Sequence, residues 1–454
     1  MTTTLGFYGG VGSVTGANFM LDTGKFALLV DCGLVQGDKF AAEINATPFA
    51  YDPAKVDVLL VTHAHADHIG RIPKLVRDGF NGIIYSTEPT RDLARLMFED
   101  ALKIMQMEAI RDQREAIYGA EDIQLALSLW KIKPYEESFA LGDDITATLS
   151  DAGHILGSAT VSLVRSGKKI VFTGDLGNIP QPLLSAPTIP TDYDYMIMES
   201  VYGDRSHEEV AQRSELLKGH IKETIRTKGT LIIPAFSIER TQGMLLEINN
   251  LIESKQIAPI KTFLDSPLAI RVTDVYRRST EFLRADIQKQ IKDGDDIFEF
   301  DGLSFTETVK ESSQISRIDG PKIIIAGSGM SHGGRIRAHE KEYLDDTNCI
   351  LLLVGYQTVG SIGRLLQDGA KQVFIDGMKV KVKAKIATIR GYSGHADRDQ
   401  LVEFVHGGLS PKTKQIFVTM GEERSSLFLT QRLRDYLGAP AIAPEANAEI
   451  EIDF

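Results

Sequence analysis

Three imidazoles and one carboxylate, His63, His65, Asp67 and His68, fall within the run Val61-Thr62-His63-Ala64-His65-Ala66-Asp67-His68-Ile69-Gly70. Neutral imidazole nitrogen and carboxylate oxygen are donors that zinc and related divalent ions accept, so this density predicts a metal site. The i, i+2 spacing of His63 and His65 lets both rings converge on one ion from an extended turn, while the adjacent Asp67 and His68 point at a neighbouring position. That is a layout for two ions side by side. Small alanine spacers keep the turn compact.

Such donors need a stiff support, and the run from Val56 to Leu60 just before them reads as a buried strand. The placement recurs along the chain. Asp31 ends the stretch from Phe26, His154 lies in Asp151-Ala152-Gly153-His154-Ile155-Leu156-Gly157-Ser158, and Asp175 lies in Phe172-Thr173-Gly174-Asp175-Leu176-Gly177. Each follows an apolar run, so strands would deliver all of them to one rim. Further strands are expected at Asn18 to Asp22, Ile145 to Leu149, Thr160 to Val164 and Lys169 to Thr173. The glycine run from Gly9 to Gly16 lacks the Gly-Lys-Ser/Thr helix start of a phosphate loop and reads as a tight turn beside the rim. Helical spacing covers Ile69 to Phe80 and Glu88 to Met107, the latter opened by Pro89, and polar helices follow to Trp130, a packing residue.

With these settings, His-x-His-x-Asp-His, Asp31, His154 and Asp175 together resemble the motif set of the metallo-β-lactamase superfamily. The resemblance implies an α/β fold, the αβ/βα four-layer sandwich. In it His63, His65 and His154 would hold one zinc ion, Asp67 and His68 a second, and Asp175 would bridge the two, with manganese an alternative ion. Asp31 would orient a metal-bound imidazole without touching metal itself.

After the strand Tyr195-Met196-Ile197-Met198 and Glu199, the chain runs on to His395 before another strand-loop histidine appears. An inserted domain explains the gap. Its rhythm is a helix from His207 to Arg226, a strand from Thr230 to Ile233, a helix from Arg240 to Ile252 and a strand from Lys261 to Leu264. Polar strand ends at Pro234 to Gln242, Leu264 to Ala269 and Gly327 to Arg335 have the style of a ligand crevice. The whole resembles the β-CASP nucleases, in which such a domain caps a metallo-β-lactamase core. It is most similar to the compact bacterial and archaeal ribonuclease-like members, relatives of the cleavage and polyadenylation specificity factor endonuclease. The expected division is 1–205 and 356–454 for the core and 206–355 for the cap.

By that resemblance Glu199 and His395 are catalytic with Asp67, and Arg240, Ser328 and Arg335 lie in segments that hold the nucleic-acid backbone. The family's last motif, His before Gly-Glu, reads Met420-Gly421-Glu422 here. A thioether is a soft, weak ligand for zinc, so the second site is expected to lose a protein ligand and to keep Asp67, His68 and Asp175, with water, His332 or His406 filling in.

A net charge of -12 excludes a protein that coats nucleic acid through bulk positive charge, so any anion-binding groove must be local. One candidate is Met378 to Ile386, where Lys379, Lys381, Lys383 and Lys385 alternate on one strand face. Such a face attracts phosphates, or blocks aggregation at a solvated edge strand. Cys32 and Cys349 read as buried free thiols. Lack of a long apolar span and of a basic-then-apolar start points to a cytoplasmic protein with no membrane partner.

The expected activity is zinc-dependent hydrolysis of phosphodiester bonds in RNA, single-stranded by preference. Metal-bound hydroxide attacks phosphate, Asp67 orients the attacking water, and His395 protonates the leaving oxygen with Glu199 in support. Two other readings compete: an RNA-binding or scaffolding subunit with an impaired second site, motivated by Met420, and a small-molecule hydrolase, against which the insertion weighs. A homodimer is compatible with either nucleic-acid reading.

Overall fold

The computed structural model describes residues 3–37, 40–113, 115–207, 210–358 and 360–454. The chain divides into two compact units, residues 1–206 with 395–454, and residues 207–394.

The apolar runs of the first unit become strands β1 (Thr3–Gly9), β2 (Asn18–Asp22), β3 (Ala27–Val30), β4 (Val58–Leu60), β5 (Ile83–Ser86), β6 (Trp130–Ile132), β7 (Phe139–Gly142), β8 (Ile145–Asp151), β9 (Ala159–Arg165), β10 (Lys168–Phe172) and β11 (Tyr195–Met198). The second unit holds β12 (Thr230–Pro234), β13 (Lys261–Asp265), β14 (Leu303–Phe305), β15 (Lys322–Ala326), β16 (Ile350–Leu353), β17 (Gln372–Ile375), β18 (Met378–Lys381) and β19 (Lys385–Thr388). The chain then returns to the first unit with β20 (Gln415–Val418), β21 (Ala441–Ile442) and β22 (Glu449–Ile452).

Two seven-stranded sheets make the first unit, in the orders β22-β1-β2-β3-β4-β5-β6 and β21-β20-β11-β10-β9-β8-β7. Their inner faces meet in one core that takes Leu5, Phe7 and Phe19 from the first sheet and Leu149, Val161, Phe172, Ile197 and Phe417 from the second. Burying each such side chain contributes about 1.5–3 kcal/mol. On the outer face of the second sheet, Val171, Met196 and Met198 pack against Leu401, Phe404, Leu429 and Leu433 of the helices Arg398–Gly408 and Glu423–Leu437. Strands covered on both faces are apolar without alternation, as in Val58-Leu59-Leu60. This is the sandwich that the motifs implied.

Parallel pairing then sets the rim. β3, β4 and β5 run parallel in one sheet, and β10, β11 and β20 in the other, so the C-terminal ends within each set lie at one edge. Asp31, the histidine run, Asp175, Glu199 and Met420 all follow those ends.

The helix expected from Ile69 to Phe80 is two short ones, Ala66–Ile69 and Ile72–Arg77, because Arg71 gives its amide to Cys32 O at 2.9 Å. The next helix extends over Glu88–Asp112, and the polar stretch beyond it keeps only Ala120–Ser128. Trp130 packs at the sheet edge and donates its Nε1 hydrogen to Ser86 Oγ at 2.8 Å. Both cysteines are buried and free. No helix among the described residues is long and apolar enough to cross a membrane.

The second unit is a parallel sheet of order β14-β13-β15-β12-β16-β19, flanked by helices including Val210–Thr227 and Arg240–Glu253. Residues 208 and 209 of the expected first helix lie outside the described residues. Two expectations need correction here. The insertion ends at 394, not 355, because β19 pairs with β16 and Val373, Ile375, Val380 and Ala384 join this unit's core. Met378 to Ile386 is also not one strand. The dipeptide Asp376-Gly377, with φ of 50° and 75°, turns β17 into β18, which ends at Lys381, and β19 starts at Lys385 in the other sheet. Lys383 and Lys385 are paired with Asp345 and Glu223 at 2.8 and 2.6 Å, so only Lys379 and Lys381 share the open face.

Candidate metal centre

The segment after β4 leaves the sheet in extended form. His65, at φ -70° and ψ 147°, precedes the helix Ala66–Ile69. His63 and His65 therefore lie in extended chain, where alternate side chains share a side, whereas Asp67 and His68 ride the first helical turn. Close packing fixes this turn from below: a side chain at Gly33 would meet Asp67 O at 1.5 Å, so only glycine fits there.

His63 Nε2 lies 3.2 Å from His65 Nδ1, and His154 Nε2 lies 3.1 Å from the same atom. Asp175 Oδ2 is 3.4 Å from His63 Nε2 and 3.5 Å from His154 Nε2. A tetrahedral zinc with bonds of about 2.0–2.1 Å has donor-to-donor edges of about 3.4 Å, so these four atoms are spaced as a cage for one such ion. The other oxygen, Asp175 Oδ1, is 3.4 Å from His68 Nε2. That nitrogen is buried and has no hydrogen-bond partner among the described residues, a costly state unless a cation meets it. The four-atom cage therefore fits one divalent ion, and the pair of His68 Nε2 and Asp175 Oδ1 stands beside it.

Neighbouring residues fix ring orientation. Asp31, at φ 61°, takes His68 Nδ1 on Oδ2 at 2.7 Å. The amide and hydroxyl of Thr62 hold Asp31 at 2.8 and 2.7 Å. Ser158 Oγ accepts the amides of His154 and Ile155 at 3.0 and 3.2 Å, shaping the loop that presents His154. Thr62 and Ser158 were not singled out from the sequence, although each stands inside a quoted motif. Only their neighbours carry chemistry a pattern can flag.

Burial and neighbouring charge set the protonation. Burial pushes the imidazoles of His63, His65 and His154 down, assisted by the adjacent rings, so each offers a lone pair at neutral pH. Burial would raise Asp175, but His68, His63 and His395 outweigh it and hold the carboxyl well below its usual range. Burial likewise lowers His68, and the carboxylates of Asp175 and Asp31 reverse it. Asp67 is raised by burial.

Beside this cage stands a second group, Asp175, Glu199 and His395. His395 is delivered by the Gly177 to His395 bridge and by the Ala396 amide on Leu176 O at 2.7 Å. Asp397 then caps the helix Arg398–Gly408 through a capping box with Gln400. His395 Nδ1 lies 3.5 Å from Glu199 Oε1 and 3.8 Å from Asp175 Oδ2, and its ring centroid is 4.6 Å from that of His154. Burial lowers His395, but Glu199 and Asp175 prevail and raise it. Glu199, raised by burial, accepts the Leu176 amide at 2.6 Å.

Other expected residues fare differently. Asp67 enters neither close ligand group among the described residues, and neither do His332 and His406. His406 is exposed on its helix beside Glu403, and His332 belongs to the second unit. Met420 is 1% exposed, at φ 47°, with its side chain beside Gly10 in the sandwich core. Arg335 donates from Nη1 to Asp265 Oδ1 at 2.6 Å and Thr306 O at 2.8 Å, and from Nη2 to Glu307 O at 2.6 Å. Asp265 also accepts from Ser312, Thr306 and His339, and despite its burial these bonds hold its carboxyl down at about 2. Ser328 Oγ accepts the amides of His332 and Gly333 at 3.1 and 3.3 Å. Arg240 opens its helix.

Family models match along the chain: the metallo-β-lactamase superfamily over residues 14–218, the Beta-Casp domain over 241–366, and a Zn-dependent metallo-hydrolase RNA specificity domain over 379–444. The chain is 35% identical over 426 residues to Ribonuclease TTHA0252 of Thermus thermophilus, covering 94% of this chain and 95% of that one. It is 32% identical over 445 residues to the RNase J-like protein of Methanocaldococcus jannaschii, covering 97% of each. It is also 33% identical over 448 residues to the transcription termination factor FttA of Methanothermobacter thermautotrophicus, covering 94% of this chain and 68% of that one. A crystal structure of a protein of unknown function from Enterococcus faecalis V583 shares the fold, with a TM-score of 0.54 at 11% identity over 100% of both chains.

Proposed function

This chain belongs to the β-CASP ribonuclease family of the metallo-β-lactamase superfamily, and from that premise we propose that it hydrolyses phosphodiester bonds of single-stranded RNA at the His63, His65, His154 and Asp175 cage. The observation that carries the reading is the spacing of those four donor atoms, all within 4.8 Å of one another, with Glu199 and His395 alongside.

When bound, a zinc or manganese ion there supplies Lewis-acid polarisation of a phosphate oxygen and lowers the pKa of a nearby water. The chain does the rest. His63 Nε2, His65 Nδ1 and His154 Nε2 offer neutral lone pairs, and Asp175 turns one oxygen to them and the other to His68 Nε2. Asp31 holds His68 through Nδ1 and aims Nε2 at Asp175, where a cation would stand in place of the Nε2 proton that the two carboxylates otherwise favour. Asp67, on the helical turn beside them, orients the attacking water. Glu199 and Asp175 favour the protonated form of His395, which holds one proton on Nδ1 toward Glu199 and gives the other, on Nε2, to the leaving oxygen.

Met420 supports a weakened second ion, because a thioether in the sandwich core stands where the family places an imidazole. Metal counting together with RNA cleavage, for the native chain and for Met420→His, tests this. We expect one tightly held ion per chain, rising toward two in the variant with faster cleavage; an unchanged count sinks the ligand-loss account. Met420 also favours a second reading, a non-cleaving RNA-binding subunit. RNA binding without cleavage under zinc or manganese would select it.

A further inference from the structure

The ribbon β17–β18 presents one face to the core of the second unit and one to solvent. Its register places Phe374 opposite Lys379 and Gln372 opposite Lys381. Val373, Ile375 and Val380 bury the other face, so the pairing cannot slip without exposing them. Phe374 is 64% exposed, and Lys379 and Lys381 are exposed beside it.

A single exposed aromatic is ordinary on a protein surface. The informative part is what brackets it. Lys379 is its direct cross-strand neighbour and Lys381 its diagonal one, both within reach of a ligand lying on the ring. Unlike Lys383 and Lys385, neither makes an ion pair among the described residues. Residues 371–385 carry five lysines, of which Lys383 and Lys385 are already paired, leaving Lys371, Lys379 and Lys381 beside Asp376 in a chain of net charge -12. Asp376 is itself held by Arg337 and Lys341, each at 2.8 Å. Unpaired cations on an acidic protein select a polyanion, and a bare ring beside two of them selects one with unpaired bases, since duplex bases hide their faces.

We propose that this ribbon is a docking strip for single-stranded RNA, with a base stacked on Phe374 and phosphates held by Lys379 and Lys381. The inference rests on the RNA-directed reading above and assigns a binding surface which that reading does not include.

The test is equilibrium binding of the full chain to a labelled uridine oligomer, in a His395→Ala background so that the probe is not consumed. Phe374→Ala is expected to weaken binding about fivefold or more. Lys379→Gln with Lys381→Gln should flatten the slope of log affinity against log salt by about 0.7 per lysine. Phe428→Ala, an exposed aromatic on the helix Glu423–Leu437, is the control and leaves affinity unchanged. No binding by the parent chain, unchanged affinity and slope in the ribbon variants, or an equal loss in the control overturns the proposal. So does a Phe374→Ala variant that shifts a monomer–dimer equilibrium while binding RNA normally, which would give the ribbon to a second copy. Cleavage is scored separately on chains with His395 intact. Binding through the ribbon without cleavage defeats the hydrolytic reading alone, and cleavage with an indifferent ribbon defeats this one alone.

Discussion

His395 sits within reach of two carboxylates and against the ring of His154, so its removal should separate proton transfer from metal binding. We expect His395→Ala to lower kcat about 10²–10⁴-fold while the ion held by His63, His65 and His154 stays in place, as steady-state kinetics and metal analysis would show. Asp31→Ala should act the other way round. Losing the partner of His68 Nδ1 is expected to weaken metal affinity about 10–100-fold, read by competition with a chelating dye. His63 and His65 were legible as candidate donors, because three imidazoles in six positions have few uses other than metal. Their supports were not: Thr62 and Ser158 are ordinary hydroxyl residues whose role exists only once Asp31 and the His154 loop are in place. The duty of Arg335 was equally hidden, since no pattern tells a guanidinium that meets phosphate from one that braces Asp265 and two carbonyls.

Among elements, the turn into the helix Arg240–Glu253 is strained. Glu239 holds φ 64° and ψ -54°, with the Arg240 amide bonded to Ile238 O at 2.7 Å, a γ-turn of the rarer hand. Burial pushes its carboxyl from 4.5 up to about 7, despite the hydrogen bond donated by Tyr276 at 2.7 Å. Because the folded value lies above the unfolded one, this group favours folding fully below about pH 4.5, and that contribution disappears as pH climbs through 7. The effect is roughly 3 kcal/mol at most. Glu239→Gln, which keeps an acceptor for Tyr276, should raise the denaturation midpoint at pH 8 and leave it nearly unchanged at pH 5, followed by urea unfolding at both pH values. Elements with strong period were readable: β10, β11, β12 and β13 begin and end within a residue or so of the apolar runs. The lysine run failed as one strand because period two continues unbroken through a change of sheet. The Asp376-Gly377 signal for a hairpin was present but lay just before it.

For the molecule as a whole, the interrupted sandwich was predictable from the distance between Glu199 and His395, whereas its second boundary was not. β19 is a short strand whose sheet is chosen by tertiary pairing with β16, and nothing local marks the choice. The division has a measurable outcome. Zinc at a hundredfold above its dissociation constant should stabilise the first unit by about 2.7 kcal/mol. Hydrogen exchange should therefore slow in residues 3–206 and 395–454 on adding metal, with little change in 210–394; equal protection of both units would contradict a centre confined to the first.

β20 completes its sheet beside β11, although residues 207–394 intervene in the chain. A ribosome adding about 5–20 residues each second therefore leaves the edge of β11 unpaired for on the order of ten seconds or more. During that wait the nascent polypeptide already owns its three caging imidazoles but not His395. The cage donors are thus synthesised well before the rest of their unit, and through that interval the open strand edge is exposed to mispairing.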